Sequence, residues 1–255
     1  MNFIISASTD IGIKKSTNQD SLTVKILDTP RGKMVFALLC DGMGGLAKGE
    51  VASSELVEAF HNWVLEELPE ICDKSIEDSI IRKQWNRIAE MQNNRIMNYG
   101  NHCGIRLGTT VVAILITEQR YYIMNVGDSR AYELTEEIRQ LTKDQTLVER
   151  EVALGNLTSE QAESDPRRSV LLQCIGASED VYPDFFFGET RKNAVYMLCS
   201  DGFRHEVSPY EIFEMLEPNR MLDEKTMRQN MEYLIGLNKS RMEQDNISVI
   251  TIRTY

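Results

Sequence analysis

Residues 34–45, MVFALLCDGMGG, hold seven consecutive apolar side chains and then stop at a carboxylate, Asp41, followed by glycine. An apolar run of this length bounded by a turn reads as a strand buried on both faces. An acid at its end must stand where the core meets the surface. The stretch VYMLCSDGF at 195–203 repeats the plan, with Asp201 and Gly202 ending the strand. Asp128 follows the run YYIMNVG, Asp245 precedes NISVITI, and Asp20 precedes SLTVKIL. Strand ends of one layered fold can converge, so these five distant carboxylates can share one cleft.

Clustered carboxylates repel and raise one another's pKa unless positive charge offsets them. No Lys or Arg stands next in sequence to Asp41, Asp201 or Asp245. A hard divalent cation with oxygen ligands, Mg²⁺ or Mn²⁺, satisfies the requirement. Gly42 allows a tight turn and a close approach of its carbonyl to such an ion.

Strands and helices come in blocks. FIISAST, SLTVKIL and KMVFALL read as strands separated by turn residues. Two amphipathic helices follow. Leu56, Val57, Phe60, Val64 and Leu68 recur at helical spacing in one, and Ile76, Ile80, Ile81, Trp85, Ile88 and Met91 in the other. Strands return in TTVVAILIT, RYYIMNV and SRAYELT. Two more helices come near the end, one opened by Ser208-Pro209 with Glu211 closing a capping box. NISVITI reads as a last strand. Block order favours an α+β fold of packed antiparallel sheets with helices outside. Residues 145–169 are polar and read as a surface flap of two short helical pieces, one ending at Gly155 and one starting at Thr158 with Gln161 in capping position. No linker or repeat divides residues 1–255, which are expected to form one domain.

The net charge of −11 argues against nucleic-acid and anionic-membrane binding, which need Lys and Arg. No apolar run approaches the roughly 20 residues of a membrane span, and the N-terminus lacks the basic start of a signal peptide. The chain reads as cytoplasmic. Its five cysteines stand at no C-x-x-C spacing, so disulfide and zinc frameworks are not expected. Cys40 and Cys199 end apolar runs and read as small buried hydrophobes. None of the five begins a C-x₅-R phosphatase loop.

The segments NQD (18–20), CDGMGG (40–45), GTT (108–110), NVGDSR (125–130), LTKDQ (141–145), CSDGF (199–203) and DNISVI (245–250) occur in that order. Together they resemble the metal-dependent serine/threonine protein phosphatases of the protein phosphatase 2C family, in its bacterial form, from about residue 6 to residue 252. The resemblance implies a central antiparallel β-sandwich flanked by helices on both sides, with the active site at one end. It implies a binuclear Mn²⁺ or Mg²⁺ centre. Asp41 would bridge both ions and the Gly42 carbonyl would bind one. Asp201 and Asp245 would bind the other, and Asp20 would act from nearby through water. Asp128 matches a residue that helps hold a weaker third ion. The implied reaction is hydrolysis of phosphoserine and phosphothreonine in phosphoproteins by attack of a metal-bridging hydroxide, which requires no protein nucleophile. A Ser/Thr kinase and its targets would be the partners, in signal transduction, with the chain acting as a monomer.

Two departures from the family pattern stand out. Bacterial members carry a phosphate-contacting Arg three residues before the Asn of NQD, and Lys15 stands there. Lysine is cationic but lacks the bidentate fork. Met43 occupies the position where animal members have a His proposed as general acid. His61 reads as a helix-boundary residue, His102 as a loop residue, and His205, four residues after Asp201, matches no motif. Arg130 reads as a structural partner of nearby acids. Two rival readings are a non-catalytic phosphoprotein-binding member of the same fold, for which Lys15 is the support, and another two-metal phosphoryl enzyme such as a nuclease, against which the charge speaks.

Overall fold

Seven apolar residues in a row need apolar cover on both faces of a strand, and the fold provides it. A computed structural model describes residues 1–43 and 48–255. Among these, ten strands form two antiparallel sheets. The strands are β1 (Phe3–Asp10), β2 (Asp20–Thr29), β3 (Gly32–Asp41), β4 (Val111–Ile116), β5 (Arg120–Val126), β6 (Arg130–Leu134), β7 (Ile138–Gln140), β8 (Asp184–Glu189), β9 (Val195–Cys199) and β10 (Ile247–Thr254). One sheet has the order β1-β10-β9-β6-β7 and the other β2-β3-β4-β5-β8.

Side chains alternate across a strand. On β3 the odd positions Val35, Ala37 and Leu39 lie beside Val112 and Ile114 of β4 and face Leu198, Ile250 and Ile252 of the second sheet. The even positions Met34, Phe36, Leu38 and Cys40 face helices instead. Those helices are α1 (Gly49–Glu66), α2 (Leu68–Lys74) and α3 (Asp78–Cys103). β9 is built the same way. Tyr196 and Leu198 enter the space between the sheets, whereas Val195, Met197 and Cys199 meet the helices on the far side. There α7 (Pro209–Leu216) and α8 (Glu224–Ser240) cover the second sheet. The expected α+β layering is therefore present: helices, sheet, sheet, helices. Its two central strands are continuous apolar runs because neither face is solvated.

Most of the element reading holds, with three corrections. Leu68 does not extend the first helix. Pro69 at the start of α2 cannot donate a ladder hydrogen bond, so the chain breaks at Glu67 and restarts. Ile76 precedes α3, and Met91 lies on its exposed face at 52%. Two strands, β7 and β8, are additional to those expected. The flap pieces are α4 (Leu147–Ala153) and α5 (Ser159–Ser164), and α5 opens with the Thr158–Gln161 capping box. Ser208 and Glu211 form the second capping box at α7. Cys40 and Cys199 are fully buried.

Candidate active site

All five aspartates lie where strands meet loops. Asp20 opens β2 and Asp41 closes β3, and the two face each other in the antiparallel register. Asp201 begins α6 (Asp201–Arg204), the single helical turn after β9. Asp245 stands two residues before β10, and Asp128 lies in the turn between β5 and β6.

The residues around the acids explain the other motifs. Thr110 N–H donates to the Asp41 carbonyl at 2.9 Å, Asp41 N–H donates to Thr110 Oγ1 at 3.1 Å, and Thr109 Oγ1 donates to the same carbonyl at 2.9 Å. The GTT segment thus clamps the Asp41 backbone. Asn246 accepts from Gln19 N–H at 2.9 Å and donates to the Ile11 carbonyl at 3.0 Å, tying the loop before β2 to the loop before β10. Gln145 accepts from Gly127 N–H at 2.9 Å and Asp144 takes a bidentate contact from Arg130 at 2.7 and 2.8 Å. LTKDQ therefore braces the turn that carries Asp128, and Arg130 has the structural role expected of it. Gly202 is required by packing: a Cβ there would stand 2.2 Å from the Asn246 carbonyl oxygen. Only the absence of a side chain lets α6 approach the Asp245–Asn246 loop. Gly42 is equally confined, 2.5 Å from the Gln19 carbonyl oxygen by the same measure. Gly44 and Gly45 of CDGMGG lie outside the described residues.

The electrostatics show convergence. Burial pushes the Asp41 carboxyl well above the ordinary range, and Asp20, Asp201, Asp245 and Asp128 each add to the rise. Asp20 is pushed up to about 7 by burial, with Asp201 and Asp245 contributing. Asp128 is likewise pushed to about 7, by burial and then by Asp201, with Arg204 opposing. Burial also acts on Asp201, but His205, Arg204 and a hydrogen bond from Asp41 outweigh it and leave Asp201 below the usual range.

The donor set fits a hard cation. Both oxygens of Asp20 and Oδ1 of Asp201 are buried without a hydrogen-bond partner. The Ser200 and Ser248 hydroxyls favour the Asp20 charge; Ser200 Oγ also accepts from Ser248 N–H at 3.0 Å, and Ser248 Oγ meets Thr9 Oγ1 at 2.8 Å. Orphaned carboxylate oxygens are costly to bury, and an ion would satisfy them. Among the described residues, no three His, Cys, Asp and Glu side chains already close around one point as a finished metal cage. Positive charge comes instead from two side chains that are distant in sequence from the acids they meet. Lys15 Nζ stands 2.7 Å from Asp245 Oδ1, and Asp245 outweighs burial to raise the lysine pKa. Arg204 Nη2 donates to the Asp128 carbonyl at 3.0 Å and lies 3.8 Å from its Oδ2. No Lys or Arg stands next to Asp41, Asp201 or Asp245 along the chain, but in space Lys15 meets Asp245 and Arg204 acts on Asp201.

A cleft of about 750 Å³ opens over Asp201 and Asp245. Lys14, Lys15 and Ser16 line one side, and Arg168 and Ser169 reach it from the flap and its C-terminal end. An acidic floor under basic walls suits a phosphate held beside cations. His205 also lines the cleft. Sequence reasoning gave it no role, and its only signal was the four-residue spacing from Asp201. His61 and His102 stand apart, one on α1 and the other exposed at the end of α3.

Comparison with known proteins agrees with this architecture. The family model described as "Protein phosphatase 2C" matches residues 13–236. A protein phosphatase 2C-type sequence of Streptococcus pyogenes serotype M6 is 32% identical over 251 residues, covering 97% of this chain and 96% of its own. The serine/threonine phosphatase structure of S. agalactiae superimposes with a TM-score of 0.82 at 29% identity, covering 100% of both chains. The catalytic domain of the serine/threonine protein phosphatase PstP, in complex with two manganese ions, gives a TM-score of 0.76 at 28% identity over 99% of each chain. The likeness carried by seven short motifs extends through both sheets and their helices, and the chain belongs to the protein phosphatase 2C family.

Proposed function

We propose that this chain is a metal-dependent protein serine/threonine phosphatase, a single catalytic domain that removes phosphate from phosphoserine and phosphothreonine. The observation that carries the proposal is the buried set of partnerless carboxylate oxygens on Asp20 and Asp201 beside the raised Asp41. Asp41 and the Gly42 carbonyl are assigned to one ion, Asp41, Asp201 and Asp245 to the second, and Asp20 to the water around them. Asp128 is assigned to a third, weaker position, where an ion would compete with the Arg204 guanidinium. When bound, Mn²⁺ or Mg²⁺ would supply Lewis acidity, acidifying water and screening charge on the phosphoryl group. The backbone bonds to Asp41 and the Asn246 tie beside Asp245 fix the chain that carries these carboxylates before substrate arrives, so little reorganisation is left to the reaction. The flap brings Arg168 toward the cleft mouth, where a phosphopeptide would enter.

The substrates would be phosphoproteins, including a Ser/Thr kinase and its targets, met by a cytoplasmic monomer. No helix among the described residues is long and apolar enough to cross a membrane. Purified protein is expected to hydrolyse a phosphothreonine peptide with Mn²⁺ and to lose all turnover on chelation, regaining it on Mn²⁺ addition. Peptide binding without turnover at saturating Mn²⁺ would contradict the proposal and favour a phosphoprotein-binding role.

Lys15 is assigned to the substrate phosphate. Ions bound at Asp245 would take over the neutralisation that the ammonium now provides and leave Nζ to the phosphate. Lys15→Met is expected to raise the peptide KM severalfold, with kcat nearly unchanged at saturating Mn²⁺. An unchanged KM would remove Lys15 from the substrate site.

A further inference from the structure

We infer that His205 is a positioning residue that locks Asp201 and Asp245 into one geometry, acting with Glu243. The inference rests on the metal assignment proposed above and goes beyond it. α6 is one turn long, and His205 N–H donates to the Asp201 carbonyl at 3.1 Å. That turn folds the imidazole back onto the acid four residues before it, as i, i+4 side chains meet on a helix. Nε2 lies 3.5 Å from Asp201 Oδ2, and Nδ1 lies 3.3 Å from Glu243 Oε2.

Glu243 extends the chain of contacts. Its other oxygen, Oε1, accepts from Asp245 N–H at 2.8 Å and from Gln244 N–H at 2.6 Å. The imidazole therefore meets one candidate ligand at ion-pair distance and reaches the backbone of the other through a single carboxylate. His205 and Glu243 side chains are 14% and 7% exposed, so solvent does little to loosen either contact. Engaging Asp201 Oδ2 leaves its Oδ1 as the buried oxygen without a partner. One carboxylate oxygen is thus fixed by protein and the other is free for an ion, the arrangement by which outer groups orient metal ligands. Glu243 belongs to none of the motifs, and a buried acid has no evident duty at this place except to hold the loop and the ring.

The test is calorimetric titration of metal-free protein with Mn²⁺, comparing wild type, His205→Ala and Glu243→Gln. Both variants are expected to bind Mn²⁺ ~10–100-fold more weakly, the range for loss of an outer-shell partner. Hydrolysis should recover toward wild type as Mn²⁺ is raised, with the peptide KM unchanged. A folded His205→Ala protein with wild-type Mn²⁺ affinity would overturn the inference. So would a loss of kcat at saturating Mn²⁺ with affinity intact, which would place His205 on the substrate instead. If His205→Ala fails to fold, Glu243→Gln decides by the same criteria, because its amide oxygen still accepts the loop N–H groups. Failure of the wild type itself to bind Mn²⁺ would overturn the metal assignment, and this inference with it.

Discussion

Asp41→Asn protein is expected to lose more than ~100-fold of its Mn²⁺-supported turnover, while the metal-free variant melts at or above the wild-type temperature. The first effect follows from removing a proposed bridging ligand, which should exceed the loss caused by an outer-shell partner. The second follows from the cluster's own charge. Burial and four neighbouring aspartates oppose ionisation of Asp41, so a neutral isostere stays uncharged at every pH, avoids the repulsion that ionised Asp41 meets as pH rises, and still offers its amide oxygen. The pH dependence has a definite sign. Asp20 and Asp128 are pushed from an ordinary 3.8 to about 7, so the folded state holds protons that the unfolded state has released. Stability of the metal-free protein should therefore fall as pH rises from about 3.8 through about 7. Asp41 adds to the fall in the same direction, and Asp41→Asn should flatten part of it. Mn²⁺ should restore stability in the wild type and do much less in the variant. Thermal melts at pH 5.5 and pH 8, with and without Mn²⁺, check all of this. Higher metal-free stability at pH 8 than at pH 5.5 would contradict the repulsion on which the reading depends.

Trp85→Ala is expected to destabilise the protein by about 3–5 kcal/mol, the usual cost of emptying a large aromatic site in a core. Trp85 is fully buried and packs edge-on against Phe36, Phe60 and Trp63, with ring centroids 6.0, 6.0 and 5.6 Å away. These rings join α1 and α3 to β3, the strand that ends at Asp41. Loosening them should also weaken Mn²⁺ binding slightly, because α1 and β3 frame Gly42. Trp85→Phe should cost much less. The Trp85 indole N–H is buried without an acceptor, so replacing it loses no hydrogen bond and removes an unsatisfied donor. Chemical denaturation of the three proteins provides the comparison. Equal losses for Phe and Ala would show that the indole makes a polar contact of greater weight than its packing.

Much of the architecture is legible in residues 34–45 alone. An uninterrupted apolar strand in an antiparallel sheet demands cover on both faces, which implies a second sheet on one side and helices on the other. The ends of such strands are the only places where Asp41 and Asp201 can stand. The capping boxes at Thr158 and Ser208 are equally legible, because their chemistry is local. Other features depend on contacts across long stretches of chain. Lys15 reaches Asp245 from the far end of the chain, and Glu243 reaches the Asp201 neighbourhood only through His205. No periodicity marks such pairs. β8, with Phe185, Phe186 and Phe187, lies at a sheet edge beside β5, and its short run carries too little pattern to announce a strand.

The central claim is that acids far apart in sequence jointly hold a pair of ions. Anomalous scattering from crystals grown with Mn²⁺ tests it most directly. The account predicts two strong peaks about 3.5–4 Å apart, with Asp41 touching both and Asp201 and Asp245 on one of them. Peaks elsewhere, or none between these three carboxylates in well-ordered crystals, would contradict it.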